Sequence, residues 1–197
     1  MSVDHLPPQF RDDVQEVLLS SGRIAARLDE LAAEIDQDYA GEEILLIGVL
    51  KGAIFVMADL ARRLQIPVAM DFMACSSYGS STSSSGTVRI LKDLDADIAD
   101  KHVIIVEDII DSGLTLTWLL KYLASQSAAS VEVVTLFRKP AAIRSAPPLR
   151  YVGFDIPTEF VVGYGLDFAE KYRNLRVVAT LAPHVYGLRG PREPDPA

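Results

Sequence analysis

A chain of 197 residues is long enough for one well-buried α/β domain and too short for two comfortable ones. Its formal charge of −8 argues against a nucleic-acid footprint, which needs clustered Lys and Arg, so any anionic ligand must be held locally. With Cys75 as the only cysteine, neither a disulfide framework nor a cysteine zinc cluster can be built within the chain; no basic segment followed by a long apolar run opens it and no later apolar run approaches about 20 residues, so the expectation is a cytoplasmic protein without a membrane partner.

Met1 to Gln9, with Pro7 and Pro8, reads as a loose leader before a short strand around Val14 to Leu19. From Ser21 onward Ile24, Leu28, Leu31 and Ile35 recur at helical spacing, and Gly41 closes that amphipathic segment. Ile44 to Leu50 is a continuous apolar strand ended by Lys51-Gly52 and followed by a helix from about Ala53 to Leu64. Pro67 resets the chain into a strand, Val68 to Ala74. Ser76 to Gly86, SSYGSSTSSSG, is too poor in apolar residues to hold one conformation alone and reads as a mobile excursion that returns as an antiparallel strand at Val88 to Leu91. Val131 to Phe137 is a further buried strand with Arg138, Lys139 and Pro140 at its end. Tyr151 to Phe154, Phe160 to Gly163 and Arg176 to Leu181 read as short strands, and Arg189 to Ala197, with three prolines, as a disordered tail. Strands alternating with helices predict a doubly wound, mainly parallel sheet in a single domain whose core runs from about 14 to 182, with a small cap over its carboxyl edge.

The densest chemistry lies between His102 and Leu120. The β-branched run Val103 to Val106 is a strand buried on both faces, and Glu107 and Asp108 follow at its carboxyl end, where open α/β sheets place ligand contacts. Asp111, Ser112, Gly113 and Thr115 then form a small-residue turn before Leu116, Leu119, Leu120 and Leu123 at helical spacing. In such a turn glycine lets the backbone approach an anion, the hydroxyls add donors, and the new helix presents its unpaired N–H groups. A phosphate fits there, with a polyhydroxyl group beside the paired acids. The bland alternative is a strand-to-helix connection with Ser112 as the helix N-cap.

The order VEDIIDSG, from Val106 to Gly113, closely resembles the phosphoribosyl pyrophosphate (PRPP) signature of the phosphoribosyltransferases, and its flanks sharpen the match to the hypoxanthine-guanine type. That resemblance implies a type I phosphoribosyltransferase fold with a hood and a flexible antiparallel flap. It implies that Glu107 and Asp108 hold ribose hydroxyls and help position metal, and that Asp111, Ser112, Gly113, Leu114 and Thr115 cradle the 5′-phosphate. Asp111 is further implied near purine N7 as the catalytic base. Lys51 and Gly52 match the pyrophosphate loop, in which the Leu50–Lys51 peptide can be cis, and Ser77-Tyr78 match the dipeptide of the flap that closes over pyrophosphate.

Other stretches extend the resemblance to about Leu181. Lys139 in RKP takes the place of the lysine that donates to the purine 6-oxo group, a contact that rejects the amine of adenine. In FVVGYGLD, Phe160 is implied to stack on the purine, the Val161 backbone to read its edge, and Asp167 to help hold Mg²⁺. Arg173 in KYR matches the arginine directed at pyrophosphate. The two glycines Gly163 and Gly165 lack the third of a dinucleotide fingerprint, and neither a zinc-hydrolase nor a P-loop motif is present. Cys75 reads as a small packing residue.

The sequence therefore reads as an enzyme of purine salvage that converts hypoxanthine or guanine and PRPP to IMP or GMP and pyrophosphate, with Mg²⁺ as cofactor and a homodimer or homotetramer as its assembly. A PRPP-sensing regulator of the same fold and a xanthine-preferring transferase are the alternatives; the sequence does not rank the three bases.

Overall fold

The computed structural model describes residues 6–77, 88–145 and 147–187. In chain order the elements are α1 (Pro8–Arg11), β1 (Val14–Leu19), α2 (Ser21–Asp38), β2 (Ile44–Leu50), α3 (Ile54–Ala61), β3 (Val68–Ser77), β4 (Val88–Lys92), β5 (His102–Ile110), α4 (Leu114–Ala124), β6 (Ser130–Arg138), β7 (Tyr151–Asp155), β8 (Val161–Val162), β9 (Val178–Leu181) and α5 (Pro183–Gly187). The chain divides into two compact units, Ala25–Thr158 and the described residues up to Ile24 and from Glu159 onward. Each has its own sheet.

The larger unit is built on six strands in the order β4-β3-β2-β5-β6-β7, all parallel except for β4, which returns antiparallel along β3. Central strands such as β2 and β5 are buried on both faces, which is why they read as unbroken apolar runs rather than alternating ones. On one face Leu45, Ile47, Val103, Ile105 and Val133 meet Leu116, Leu119 and Leu123 of α4 in one core cluster. Helix α3 packs on β2 and β5 and buries Val56, Met57 and Leu60. Cys75 packs against the α4-side core, as expected of a small apolar residue. Because β3 and β5 flank β2 on opposite sides, the chain reverses its winding between β2 and β5. That switch point opens a crevice at the carboxyl ends of these two strands.

The smaller unit is a three-stranded antiparallel sheet, β1-β9-β8, closed over Leu6, Val14, Val17, Val162, Tyr172, Leu175, Ala179 and Leu181. Several expected boundaries shift. The strand expected from Phe160 to Gly163 shortens to Val161–Val162, because Gly163 takes φ 96° and leaves the ladder. Pro8–Arg11 forms a short helix inside what reads as a loose leader, with proline in the first turn, where a missing N–H costs nothing. The hairpin tip, 78–87, and the tail, 189–197, lie outside the described residues. No described helix is long and apolar enough to cross a membrane.

Candidate active site

The crevice of the larger unit is lined first by the turn after β2. The Leu50–Lys51 peptide is cis, and Lys51 is exposed. A Cβ on Gly52 would fall 1.6 Å from Asp108 Oδ2, so any other residue here would displace the turn or the Asp108 carboxylate. Asp108 also accepts the Ile109 N–H on Oδ1 at 2.7 Å. Strand β5 runs on to Ile110 because β6 pairs with it as far as Arg138, so the two acids lie inside the ladder rather than beyond its end.

Neighbouring strand residues point to opposite faces, and the paired acids are accordingly split. Asp108 faces Gly52, while Glu107 joins Ile109, Asp111, Ser112, Gly113 and Thr115 around a pocket of about 150 Å³. Glu107 is 9% exposed, and burial, reinforced by the charge of Asp108, raises its pKa well above the usual carboxylate range. Gly113, at φ 75°, is the residue that caps α4, without any side-chain cap. Ser112 is thus not the N-cap; its Oγ accepts only a long 3.5 Å contact from Leu114 N–H, which leaves its hydroxyl at the pocket.

At the end of β6, Arg138 forks onto Asp155 through Nε–Oδ1 at 2.7 Å and Nη2–Oδ2 at 2.9 Å. Lys139, next in sequence, is only 7% exposed, and its N–H bonds to Ile110 O at 3.0 Å. Arg138 is thus engaged by a protein carboxylate, while Lys139 lays a mostly covered side chain beside the pocket strand. The two neighbours therefore divide into a structural arginine and a candidate ligand-reading lysine.

In the smaller unit, Phe160 is 51% exposed and meets Phe168 edge-on at 5.6 Å, while Val161 is buried in β8 opposite Thr180. Gly163, Tyr164 and Gly165 all take positive φ. This coil brings Gly165 O to Arg173 Nη1 at 2.7 Å, and Arg173 Nη2 to Asp167 Oδ1 at 2.7 Å and Glu170 Oε1 at 3.4 Å. Arg173 Nε is buried without a hydrogen-bond partner. An unpartnered buried donor of this kind costs stability and is the sort of exception that functional sites carry.

The structure brings together Glu107 with the Asp111–Thr115 turn, Gly52 with Asp108, and Asp167 with Arg173, and it leaves Lys51, Lys139, Phe160 and Val161 outside these groups. Ser77 lies at the end of β3, and Tyr78 lies outside the described residues. The sequence offered no signal for Thr117 and Ser145, which brace the turn, since their pairing spans 28 residues. Among the described residues no group of three or more His, Cys, Asp and Glu is disposed to hold a metal. Mg²⁺ asks less, commonly taking one or two carboxylates and completing its shell with water and substrate phosphate. Glu107 and Asp108, on opposite faces of β5, each offer a hard carboxylate oxygen, so the donor chemistry fits an ion held by a single carboxylate.

The phosphoribosyl transferase domain family matches residues 14–169. The hypoxanthine-guanine phosphoribosyltransferase of Mycobacterium tuberculosis (strain ATCC 25618 / H37Rv) is 54% identical over 183 residues, covering 90% of this chain and 91% of its own. That of Bacillus subtilis (strain 168) is 47% identical over 177 residues, covering 90% and 98%. The crystal structure of a hypoxanthine phosphoribosyltransferase from Staphylococcus aureus superimposes with a TM-score of 0.89 at 42% identity, over 92% of this chain and 99% of the other. The chain belongs to the phosphoribosyltransferase family and has its type I fold. Within that family these relatives are of the hypoxanthine and hypoxanthine-guanine type.

Proposed function

We propose that this protein transfers the 5-phosphoribosyl group of PRPP to N9 of a 6-oxopurine, hypoxanthine or guanine, giving IMP or GMP and pyrophosphate in purine salvage. The observation that carries this reading is the pocket at the carboxyl end of β5, where Glu107, Asp111, Ser112, Gly113 and Thr115 line a space of about 150 Å³. Ser112 and Thr115 hydroxyls and the N–H groups around Gly113 and Leu114 bind the 5′-phosphate at the start of α4. Glu107 and Asp108 accept hydrogen bonds from the ribose hydroxyls.

Breaking the bond between ribose and pyrophosphate leaves positive charge on the sugar and builds negative charge on the leaving group. Lys51, Gly52 and Arg173 stabilise that negative charge. Mg²⁺ would supply further charge neutralisation, with Glu107 and Asp108 of the larger unit and Asp167 of the smaller each offering a carboxylate to a metal with substrate oxygens. Asp111 takes the proton from purine N7 as N9 becomes the nucleophile. Lys139 donates to the 6-oxo group, Phe160 stacks on the base and the Val161 backbone reads its edge.

Steady-state kinetics with PRPP, Mg²⁺ and hypoxanthine, guanine, xanthine or adenine test the proposal. Pyrophosphate release with hypoxanthine or guanine and little with adenine is expected; release with none of the 6-oxopurines refutes it. A cytoplasmic homodimer or homotetramer is part of the same proposal. The exposed side chains of Ile54, Phe55, Met70 and Leu91 supply apolar surface of the kind subunit contacts use, and light scattering that finds only a monomer refutes the assembly.

A further inference from the structure

An anion-binding turn works only if its N–H groups face the ligand and its carbonyl oxygens, which repel an anion, are held away. In the Asp111–Thr115 turn both central carbonyls are doubly occupied. Ser112 O accepts N–H bonds from Arg144 at 3.0 Å and Ser145 at 3.1 Å. Gly113 O accepts the Thr117 N–H at 3.0 Å and the Thr117 hydroxyl at 2.8 Å. A carbonyl has two lone pairs, so neither oxygen can turn toward the pocket without breaking a bond.

The Thr117 hydroxyl also lies 2.8 Å from Ser145 Oγ. It has one proton, already given to Gly113 O, so the Ser145 hydroxyl must be the donor in that pair. The result is a closed circuit: Ser145 N–H to Ser112 O, Ser145 O–H to Thr117 Oγ1, and Thr117 O–H to Gly113 O. Ser145 O lies 2.2 Å from where a Cβ on Gly113 would stand, so the loop packs against this turn only because residue 113 is glycine. A threonine hydroxyl returned to the carbonyl four residues back is ordinary in helices. One that is also gripped by a loop 28 residues further on is not. Neither Thr117 nor Ser145 lines the pocket.

We propose that Thr117 and Ser145 are positioning residues that hold the Ser112 and Gly113 carbonyls away from the 5′-phosphate and so set the affinity for the phosphate alone. The inference rests on the reading of this turn as the 5′-phosphate site. Its signature is selective. Affinity for a nucleoside monophosphate depends on the brace, and affinity for the nucleoside does not.

Titration calorimetry with IMP and inosine measures this directly. In Thr117→Val, which keeps the branched shape, IMP affinity and the KM for PRPP should each worsen about 5- to 10-fold, the effect of one hydrogen bond. Inosine affinity should stay unchanged, and Thr117→Ser should restore most of the loss. Ser145→Ala removes only a loop hydroxyl, should show the same selective loss, and carries the test if the valine variant does not fold. A wild-type ratio of IMP to inosine affinity in both folded variants, or an equal loss for both ligands, overturns the proposal. Wild-type protein that does not prefer IMP over inosine, with Thr115→Ala equally indifferent, would instead overturn the underlying phosphate reading and this proposal with it.

Discussion

Arg173 Nη2 sits 2.7 Å from Asp167 Oδ1, so the cation expected to meet pyrophosphate and the carboxylate expected to meet Mg²⁺ are one ion pair. With Nη1 bonded to Gly165 O, only the buried Nε is without a partner. Arg173→Ala should lower kcat/KM for PRPP by about 10- to 100-fold, as removal of a charge-assisted contact does. Arg173→Lys should rescue little of it, because an ammonium cannot hold Gly165 O and Asp167 together. Equal activity of the lysine variant and the native protein would show that only charge matters here.

Asp111 is exposed beside the pocket, in contrast to buried Glu107. Asp111→Asn keeps the shape and removes the base. Single-turnover rates with IMP formation as the readout should fall by roughly 10²-fold, while PRPP affinity stays close to that of the native protein. An unchanged rate under chemistry-limited conditions would remove Asp111 from the mechanism.

At the end of β6 the two cations differ in their surroundings, Arg138 forking onto Asp155 and Lys139 lying mostly covered. Lys139→Ala should raise the KM for hypoxanthine and guanine and narrow their advantage over adenine, since the donor to the oxo group is gone. Arg138→Ala breaks the fork onto Asp155 and should cost stability without altering base preference. Kinetics on the two variants with all three bases decide the matter, and the reverse pattern would shift the assignment by one residue.

Gly52 and Asp108 test the crevice itself. Gly52→Ala places a methyl where the Asp108 carboxylate lies, so either the turn or the acid must move. The KM for PRPP should rise, while the melting temperature changes little because Gly52 is partly exposed. Native kinetics in this variant would mean that the close approach is incidental.

Asp71, 7% exposed, provides a pH-dependent term away from the site. Burial opposes its charge, but the N–H groups of Phe72, Ala96 and Asp95, together with Lys92, outweigh burial and hold its pKa below the usual range. A lowered folded pKa contributes stability that is complete above about pH 4 and lost as pH falls through the folded value. Asp71→Asn should therefore lower unfolding free energy at pH 7 by about 1–3 kcal/mol. The gap to the native protein should narrow in strong acid. A gap of constant size from pH 7 to acid would show that the carboxylate's charge contributes nothing.

Much of the fold and the centre of the site were legible because they are local. ILLIGVL and HVIIVEDII announce strands buried on both faces, and Asp111 to Thr115 carries the small-residue chemistry of an anion turn within five residues. Boundaries were less legible. The reach of β5 to Ile110 is set by its partner β6, and the shortness of β8 by the positive φ of Gly163.

What only the tertiary structure decided is which distant groups meet. Sequence placed Glu107 and Asp108 side by side, but strand alternation and the adjacency of β2 and β5 turn one into the pocket and press the other against Gly52. The resemblance pointed to Lys139 rather than Arg138, but only the parallel pairing of β6 and β7 brings Asp155 alongside Arg138 to engage it. Thr117 and Ser145 carry no motif at all. Local propensity and hydrophobic period act over a few residues, whereas these contacts exist only once crossovers have ordered the strands and fixed the loops between them.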